Sequence, residues 1–338
     1  MIKVTQYLRK PGKNSHSIER LYEDIRAHMP PDIKVNICQN TFVSQAFLPR
    51  IYDIFRARRN QGDVNHVTGD IHFTTYLLKK KRTILTIHDF VTFERLRGIR
   101  RWLFWFLWYW LPEKRSEAIT VVSEATKKQV TRHLKCDEKK IKVIHNNVSE
   151  EFQPAPKKLN LKNPRILQIG TNPNKNINRI AEALAGLCCK LVIIGPLSTK
   201  QNDVLAKFNI SYENHTDLSR QALLEQYHLC DLLVFASTYE GFGLPIIEAN
   251  AVGRPVVTSN CWSMPEVAGN AACLVDPFDI SSIREGITKL IDNKIYCNQL
   301  IRHGFENVKR FRLESIALQY ATLYRSLYQD EYCQNSSR

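Results

Sequence analysis

Residues 231–260 read DLLVFASTYEGFGLPIIEANAVGRPVVTSN, a pattern of strand, loop, helix and strand. Residues 231–237 are a short apolar run of the kind buried in a parallel sheet. Residues 238–244 form a loop with two glycines, and Pro245 suits the first helical turn, where its missing N–H costs nothing. Ile246, Ile247 and Ala251 give the helix an apolar face. Gly253 falls where a helix end wants positive φ, and Arg254-Pro255 opens a second strand over 256–258. The unit is βαβ. Its loop lies at a strand's carboxyl end and feeds a helix N-terminus, where parallel α/β sheets bind anions.

Two carboxylates bracket the loop, Glu240 before Gly241-Phe242-Gly243 and Glu248 on the new helix. Gly241 and Gly243 carry no side chain, so backbone N–H groups can approach a ligand closely. A Gly-x-Gly alone is weak, but the string Glu-Gly-Phe-Gly-Leu-Pro-x-x-Glu-Ala is specific. It resembles the E-x7-E signature of retaining glycosyltransferases of the GT-B fold, the family-4 type also called glycosyl transferases group 1. The resemblance implies two Rossmann-like, doubly wound α/β domains facing a cleft. It implies that Glu240 and the backbone from Gly241 through Phe242 and Gly243 to Leu244 hold the donor sugar and its phosphates. It also implies that Glu248 binds the nucleotide ribose. An ordinary βαβ corner with surface glutamates is the alternative.

At 338 residues the chain has the length of two domains. The start, MIKVTQYLRK, lacks the apolar stretch of a signal peptide, and no apolar run reaches the length of a transmembrane helix. Nine scattered cysteines without C-x-x-C spacing read as those of a reduced cytosolic protein, with neither zinc nor a disulfide framework. The net charge of +15 is uneven: 30 Lys and Arg oppose 16 Asp and Glu in residues 1–160, but 18 oppose 17 in 161–338. Such asymmetry points to an anionic partner for the first half, membrane or nucleic acid, or to a merely soluble basic domain.

Residues 2–8 read as a first strand, followed by a polar loop at 9–17 and a helical pattern in Ile18, Leu21, Tyr22 and Ile25. In the resembling family this loop contacts acceptor or donor phosphate, which implies Gly12, Asn14 and Ser15 here. Relatives carry a Gly-Gly pair, and this chain has Gly12 alone. Further strands fall at 33–38, 63–67 and 82–87, and the last ends in His88-Asp89. A histidine there suits catalysis, or simply hydrogen-bonds a loop. The resemblance implies that His88 reaches the transferred sugar.

Residues 95–115 read RLRGIRRWLFWFLWYWLPEKR. As a helix, the ten apolar residues 102–111 reach about 15 Å, half a bilayer core, so they cannot span. Trp102, Trp105 and Trp108 with Arg97, Arg100 and Arg101 suit an anionic membrane–water boundary. The alternative is a core helix, apolar all round because it packs on several sides.

Strands at 117–123 and 142–144 close the first half, with Ser123 as a helix N-cap. A proline-containing linker follows at 153–164. The domains are then 1–160 for the acceptor, 161–312 for the nucleotide-sugar, and a final segment, 313–338, crossing back to the first through Ile316, Tyr320, Leu323 and Tyr324. The second domain opens with a strand at 165–169 and the loop Gly170-Thr-Asn-Pro-Asn-Lys-Asn176. Lys175 there suits a diphosphate, with Gly170 and Thr171 beside it. Relatives have an arginine where Thr171 or Asn174 stands, so one charge of the clamp is missing. Residues 263–270 resemble the family's Pro-Glu-Val loop, near the sugar.

The activity implied is transfer of a sugar from a UDP- or GDP-linked donor to an acceptor, with anomeric configuration kept and without metal or other cofactor. Charge and aromatics point to a lipid-linked saccharide acceptor and an anionic membrane surface, hence a cytoplasmic enzyme on the inner face of the cell membrane. This fits cell-surface polysaccharide or lipopolysaccharide assembly, with no nucleic acid as partner. The rival readings are a GT-B enzyme of different chemistry such as a sugar-nucleotide epimerase, which would lack the Glu-bracketed loop, a non-catalytic GT-B partner of a polysaccharide complex, and a basic nucleic-acid-binding protein.

Overall fold

A computed structural model describes residues 1–10, 17–42 and 47–336, without the side chains of Ser17 and 331–336. Gly12, Asn14 and Ser15 lie outside the described residues. The chain divides into two compact units, Met1–Asn147 with Leu313–Arg338, and Val148–Arg312. Each is built on six parallel strands.

The first sheet holds β1 (Ile2–Leu8), β2 (Ile33–Gln39), β3 (Val64–Val67), β4 (Thr83–Ile87), β5 (Ala118–Val121) and β6 (Ile141–Val143), in the order β2-β1-β3-β4-β5-β6. Every residue of β3, β4 and β5 is buried, as apolar, β-branched runs covered on both faces require. The second sheet holds β7 (Arg165–Ile169), β8 (Lys190–Ile194), β9 (Tyr212–His215), β10 (Leu232–Phe235), β11 (Val256–Ser259) and β12 (Cys273–Val275). Its order is β12-β11-β10-β7-β8-β9, so the chain reverses its direction of travel across the sheet between β7 and β10.

The proline-containing stretch after Val148 is laid along the second unit by hydrogen bonds rather than by regular structure. Val148 N–H donates to Phe311 O at 3.0 Å and Ala155 N–H to Val252 O at 3.3 Å. The fully buried Arg254 guanidinium donates to the carbonyls of Ala155 (2.9 Å) and His228 (2.8 Å). A buried guanidinium must fill its fork with acceptors, and these carbonyls supply them.

The terminal helix Leu313–Ser336 belongs to the first unit, where Ile316, Tyr320 and Tyr324 are buried in the cluster around Val4, Tyr22 and Ile84. A polar network lies inside that apolar contact. His66 places Nδ1 2.7 Å from Tyr324 Oη and Nε2 2.7 Å from Thr86 Oγ1. Tyr22 Oη joins Thr86 Oγ1 (3.0 Å) and Tyr320 Oη (3.1 Å), and Thr86 Oγ1 meets Thr120 Oγ1 at 2.6 Å. The sheet-facing residues of three neighbouring strands are thus bonded to a helix far away in sequence. Fully satisfied neutral networks of this kind specify one register of packing.

The aromatic stretch is a helix, Gly98–Phe104, continued by a π-helical turn at Trp105–Trp110 and a last turn at Leu111–Lys114. The wider turn leaves carbonyls off the usual ladder. Trp108 O accepts from His72 Nδ1 at 2.6 Å and Leu107 O from Tyr76 Oη at 2.5 Å. Trp105 is half-buried, its indole N–H donating to His133 O at 3.0 Å. Trp108 is also half-buried, 5.4 Å from the Phe73 ring, with the Arg50 guanidinium 4.8 Å over its own ring. Ile99, Trp102, Leu103 and Leu107 stay exposed, as do Arg95, Arg97 and Arg100. Arg101 instead lies 4.1 Å over the Phe93 ring and 3.7 Å from the Glu94 carboxylate. One side of the helix therefore packs, as a core helix would, and the other forms an exposed apolar rim. Among the described residues, no helix is long and apolar enough to cross a membrane.

Burial pushes the His66 imidazole down to about 3. The unfolded chain takes up this proton near pH 6.5, so stability is full above that value and falls with pH toward about 3, by roughly 1.4 kcal/mol per unit. Urea denaturation of the first unit at successive pH values from neutral to mildly acid should show this slope. His66→Gln, which keeps polar groups in place, should remove one proton's share. An unchanged slope in that variant would mean that the network does not hold His66 neutral.

Candidate donor site at the switch point of the second sheet

β7 and β10 pair in parallel, with Leu232 opposite Ile166 and Leu233 opposite Leu167. Their two following loops therefore emerge side by side, at the place where the strand order reverses. Ligands of open α/β sheets bind at such points because helix N-termini and loop amides diverge around a crevice. The loop after β7 is sewn to the loop after β10. Thr238 N–H donates to Asn174 O at 2.8 Å, and Asn174 Nδ2 donates to Tyr239 O at 3.0 Å and to Glu240 Oε1 at 3.2 Å. Asn176 Nδ2 donates to Ala236 O (2.9 Å) and Pro277 O (2.7 Å).

Lys175 Nζ lies 2.7 Å from Glu240 Oε1, both side chains mostly buried at 17% and 14% exposure. The same ammonium sits 4.5 Å over the Phe235 ring. Its stem crosses the end of β7 where only a glycine leaves room. Gly170 has φ +86, and a Cβ there would meet Lys175 Cε at 2.9 Å. Gly243, with φ +104, turns the chain into the helix Leu244–Val252 without any side-chain cap, so the helix N-terminus keeps its N–H dipoles unscreened by a cap.

The other predicted residues divide. Phe242 is buried at 4% exposure with its ring 5.6 Å from that of Phe311, so its side chain packs inside the unit rather than facing a ligand. The Thr171 hydroxyl donates to Pro196 O at 2.6 Å and ties neighbouring loops together. Glu248 is half-buried on the helix, its Oε2 accepting from Tyr227 Oη. Burial pushes its carboxyl above the ordinary range, against the lowering effect of the tyrosine, and pushes the Tyr227 hydroxyl well up. Gly170, Lys175, Glu240 and the loop 241–244 thus come together within the second unit. In the first unit, His88 is nearly buried and lies at the carboxyl end of β4. Its Nε2 donates to Thr68 O at 2.8 Å, which places the proton on Nε2 and leaves the Nδ1 lone pair open in the neutral ring.

Three residues outside the predicted set organise the site. Asn174, one of the two positions where the resemblance leads one to expect an arginine, holds Glu240 through its amide. Tyr227 orients Glu248. Ser263 Oγ, 3.0 Å from Glu240 O and 2.8 Å from Phe242 O, pins the glycine loop to the segment after β11. Ser263 precedes a short helix, Met264–Ala268, and reads locally as its cap; its hydroxyl serves another loop, which no local signal announces.

Two doubly wound parallel units, one with a carboxylate-bracketed glycine loop at its switch point, define the GT-B class of two-domain proteins. The family model for Glycosyltransferase Family 4 matches residues 10–152 and that for Glycosyl transferases group 1 matches 149–307. The chain belongs to this glycosyltransferase family. It is 25% identical over 257 residues to the serotype-specific mannosyltransferase WbdA of Escherichia coli, covering 68% of this chain and 32% of WbdA. It is 26% identical over 254 residues to the O-antigen chain mannosyltransferase RfbU of Salmonella typhimurium, covering 71% and 70%. The chain thus spans about a third of the length of WbdA. Among solved structures, sucrose-phosphate synthase from Thermosynechococcus elongatus superposes with a TM-score of 0.78 at 16% identity, over 98% of this chain and all of that one, a likeness of fold.

Ser263→Ala should cost about 1 kcal/mol of stability in urea, the usual worth of one buried hydrogen bond, and should speed hydrogen exchange at the amides of 240–243. Exchange in that loop as slow as in the unaltered protein would show that the hydroxyl does not pin it.

Proposed function

We propose that this protein is a glycosyltransferase of EC 2.4 type. It moves a sugar from a nucleotide-sugar to a saccharide acceptor, probed first as a lipid-linked one, with retention and without a metal, in assembly of a cell-surface polysaccharide or lipopolysaccharide. The observation that carries the reading is the Lys175–Glu240 pair beside an uncapped helix N-terminus at the switch point. The names of WbdA and RfbU favour mannose as the sugar moved.

The reaction forms a bond from an acceptor oxygen to the anomeric carbon and breaks that carbon's bond to the diphosphate oxygen. Negative charge grows on the leaving group, and positive charge on the sugar ring. Catalysis rewards groups that meet those charges in the transition state. Lys175 and the amides of 241–244 are assigned to the departing diphosphate, with Gly170 giving the lysine its path. Glu240 is assigned to the sugar hydroxyls and Glu248 to the ribose. The acceptor's proton passes to the leaving phosphate oxygen, so no enzyme base is required. His88 is assigned to the transferred sugar through Nδ1. Gly12, Asn14 and Ser15 are assigned to acceptor or donor phosphate. The absence of an Asp-x-Asp pattern in the sequence supports stabilisation of the leaving diphosphate by lysine and backbone N–H groups rather than by a metal.

The exposed rim Ile99, Trp102, Leu103 and Leu107, with Arg95, Arg97 and Arg100, is assigned to an anionic membrane surface, which supports a lipid-linked acceptor and a peripheral position on the cytoplasmic face.

Purified protein should slowly release nucleotide from at least one of a panel of UDP- and GDP-sugars, and Glu240→Ala should reduce that release about a hundredfold. Release untouched by the substitution would move the site elsewhere. For the membrane, Trp102→Ser with Leu107→Ser should weaken co-sedimentation with phosphatidylglycerol vesicles. Trp105→Ser should instead lower stability, by about 3 kcal/mol, since it removes a packed ring. Equal sedimentation of the exposed-rim variant and the unaltered protein would remove the membrane assignment.

A further inference from the structure

Trp262 is the one bulky residue near the glycine loop whose backbone is strained. Its φ is +57, a region that large side chains of L configuration rarely adopt. It is the only tryptophan of the second unit, and its side chain is not compensated by burial: 44% of the residue stays exposed. Its indole N–H makes no hydrogen bond among the described residues. The backbone around it is held on both sides. Asn260 N–H donates to Val275 O at 2.8 Å, and the next residue, Ser263, bonds the carbonyls of Glu240 and Phe242. The neighbours thus impose a conformation that turns an amphipathic ring outward, beside the donor loop.

A second ring lies against it. Tyr239, immediately before Glu240, has its ring centroid 4.7 Å from that of Trp262, the planes inclined at 54°. Tilted rings make a notch, not the parallel slot that grips a flat nucleobase. Tyr239 is followed in the chain by Glu240, so the notch lies on the loop that carries that carboxylate. A pyranose has both features the notch asks for: an apolar face of C–H groups attracted to the negative face of an aromatic ring, and a rim of hydroxyl oxygens that can accept from the indole N–H.

We propose that Tyr239 and Trp262 form an aromatic platform that binds a saccharide ring of the acceptor beside the loop that carries Glu240. The proposal rests on the glycosyltransferase reading and adds to it a specificity-determining site in the second unit. Trp262 acts by binding and takes no part in bond making.

The experiment uses full-length protein labelled with fluorotryptophan, the Trp262 signal assigned by comparison with Trp262→Gly. Methyl α-mannoside and an α-linked mannobiose serve as saccharides, with GDP and UDP as nucleotide controls. The Trp262 ¹⁹F signal should move on addition of mannobiose and stay in place with either nucleotide alone. Trp262→Gly relieves the backbone strain, so its urea midpoint should equal or exceed that of the unaltered protein while mannobiose affinity falls about tenfold. Trp262→Phe, which keeps a ring, should retain most of that affinity. A Trp262 signal that responds to nucleotide and not to saccharide overturns the platform, as does a glycine variant that binds mannobiose unchanged. A lower midpoint in the glycine variant, with affinity lost equally in Trp262→Phe, would make the residue structural and also overturn it. Failure of the parent reading looks different: no nucleotide release from any nucleotide-sugar by the unaltered protein, a test that needs no acceptor.

Discussion

Lys175 and Glu240 meet at 2.7 Å from loops 65 residues apart, and the second unit's chemistry depends on that contact. It is mostly buried, so each charge has given up much of its hydration, and loss of either partner would leave the other uncompensated. The pair nonetheless leaves capacity on both sides. An ammonium has three donors and a carboxylate two oxygens, so each can keep the other while taking up a ligand group. Asn174 adds a neutral donor to the same oxygen, 3.2 Å away, and so holds Glu240 without competing for anions as an arginine would.

The loops meet only because β7 and β10 are sheet neighbours. All six strands are parallel, and the order reverses between these two. The surrounding devices serve that junction. Gly170 opens a path for the lysine stem, Gly243 bends the chain into the helix, and Ser263 links the loop from the other side. Each is a backbone or hydroxyl feature, so the site is carried by rigid main chain with few side chains free to move, which is what charge stabilisation without reorganisation requires.

The first unit shows a different use of polar groups. His66, Thr86, Thr120, Tyr22, Tyr320 and Tyr324 are all buried and bonded to one another, with no net charge among them. Their net contribution to stability is modest, but a shifted helix would orphan several of them at once, so they fix where the last helix lies. The aromatic stretch obeys the same demand at its π turn, where side chains of His72 and Tyr76 fill carbonyls that the helix leaves open.

The strands, the glycine loop and its two glutamates were legible because the signals are local: apolar runs for strands buried on both faces, and glycine and proline where the backbone must turn. Lys175 was legible by type, a cation in a loop after a strand, but its partner was not. Which side of residues 98–110 packs was also hidden, because the π turn alters the helical period by which a face would be assigned. The roles of Asn174, Ser263 and Trp262 belong to the tertiary structure alone. A hydroxyl, an amide or a ring acquires its partner only when strand pairing brings distant loops together, and a left-handed backbone at a tryptophan is set by the neighbours that hold it, not by the residue itself.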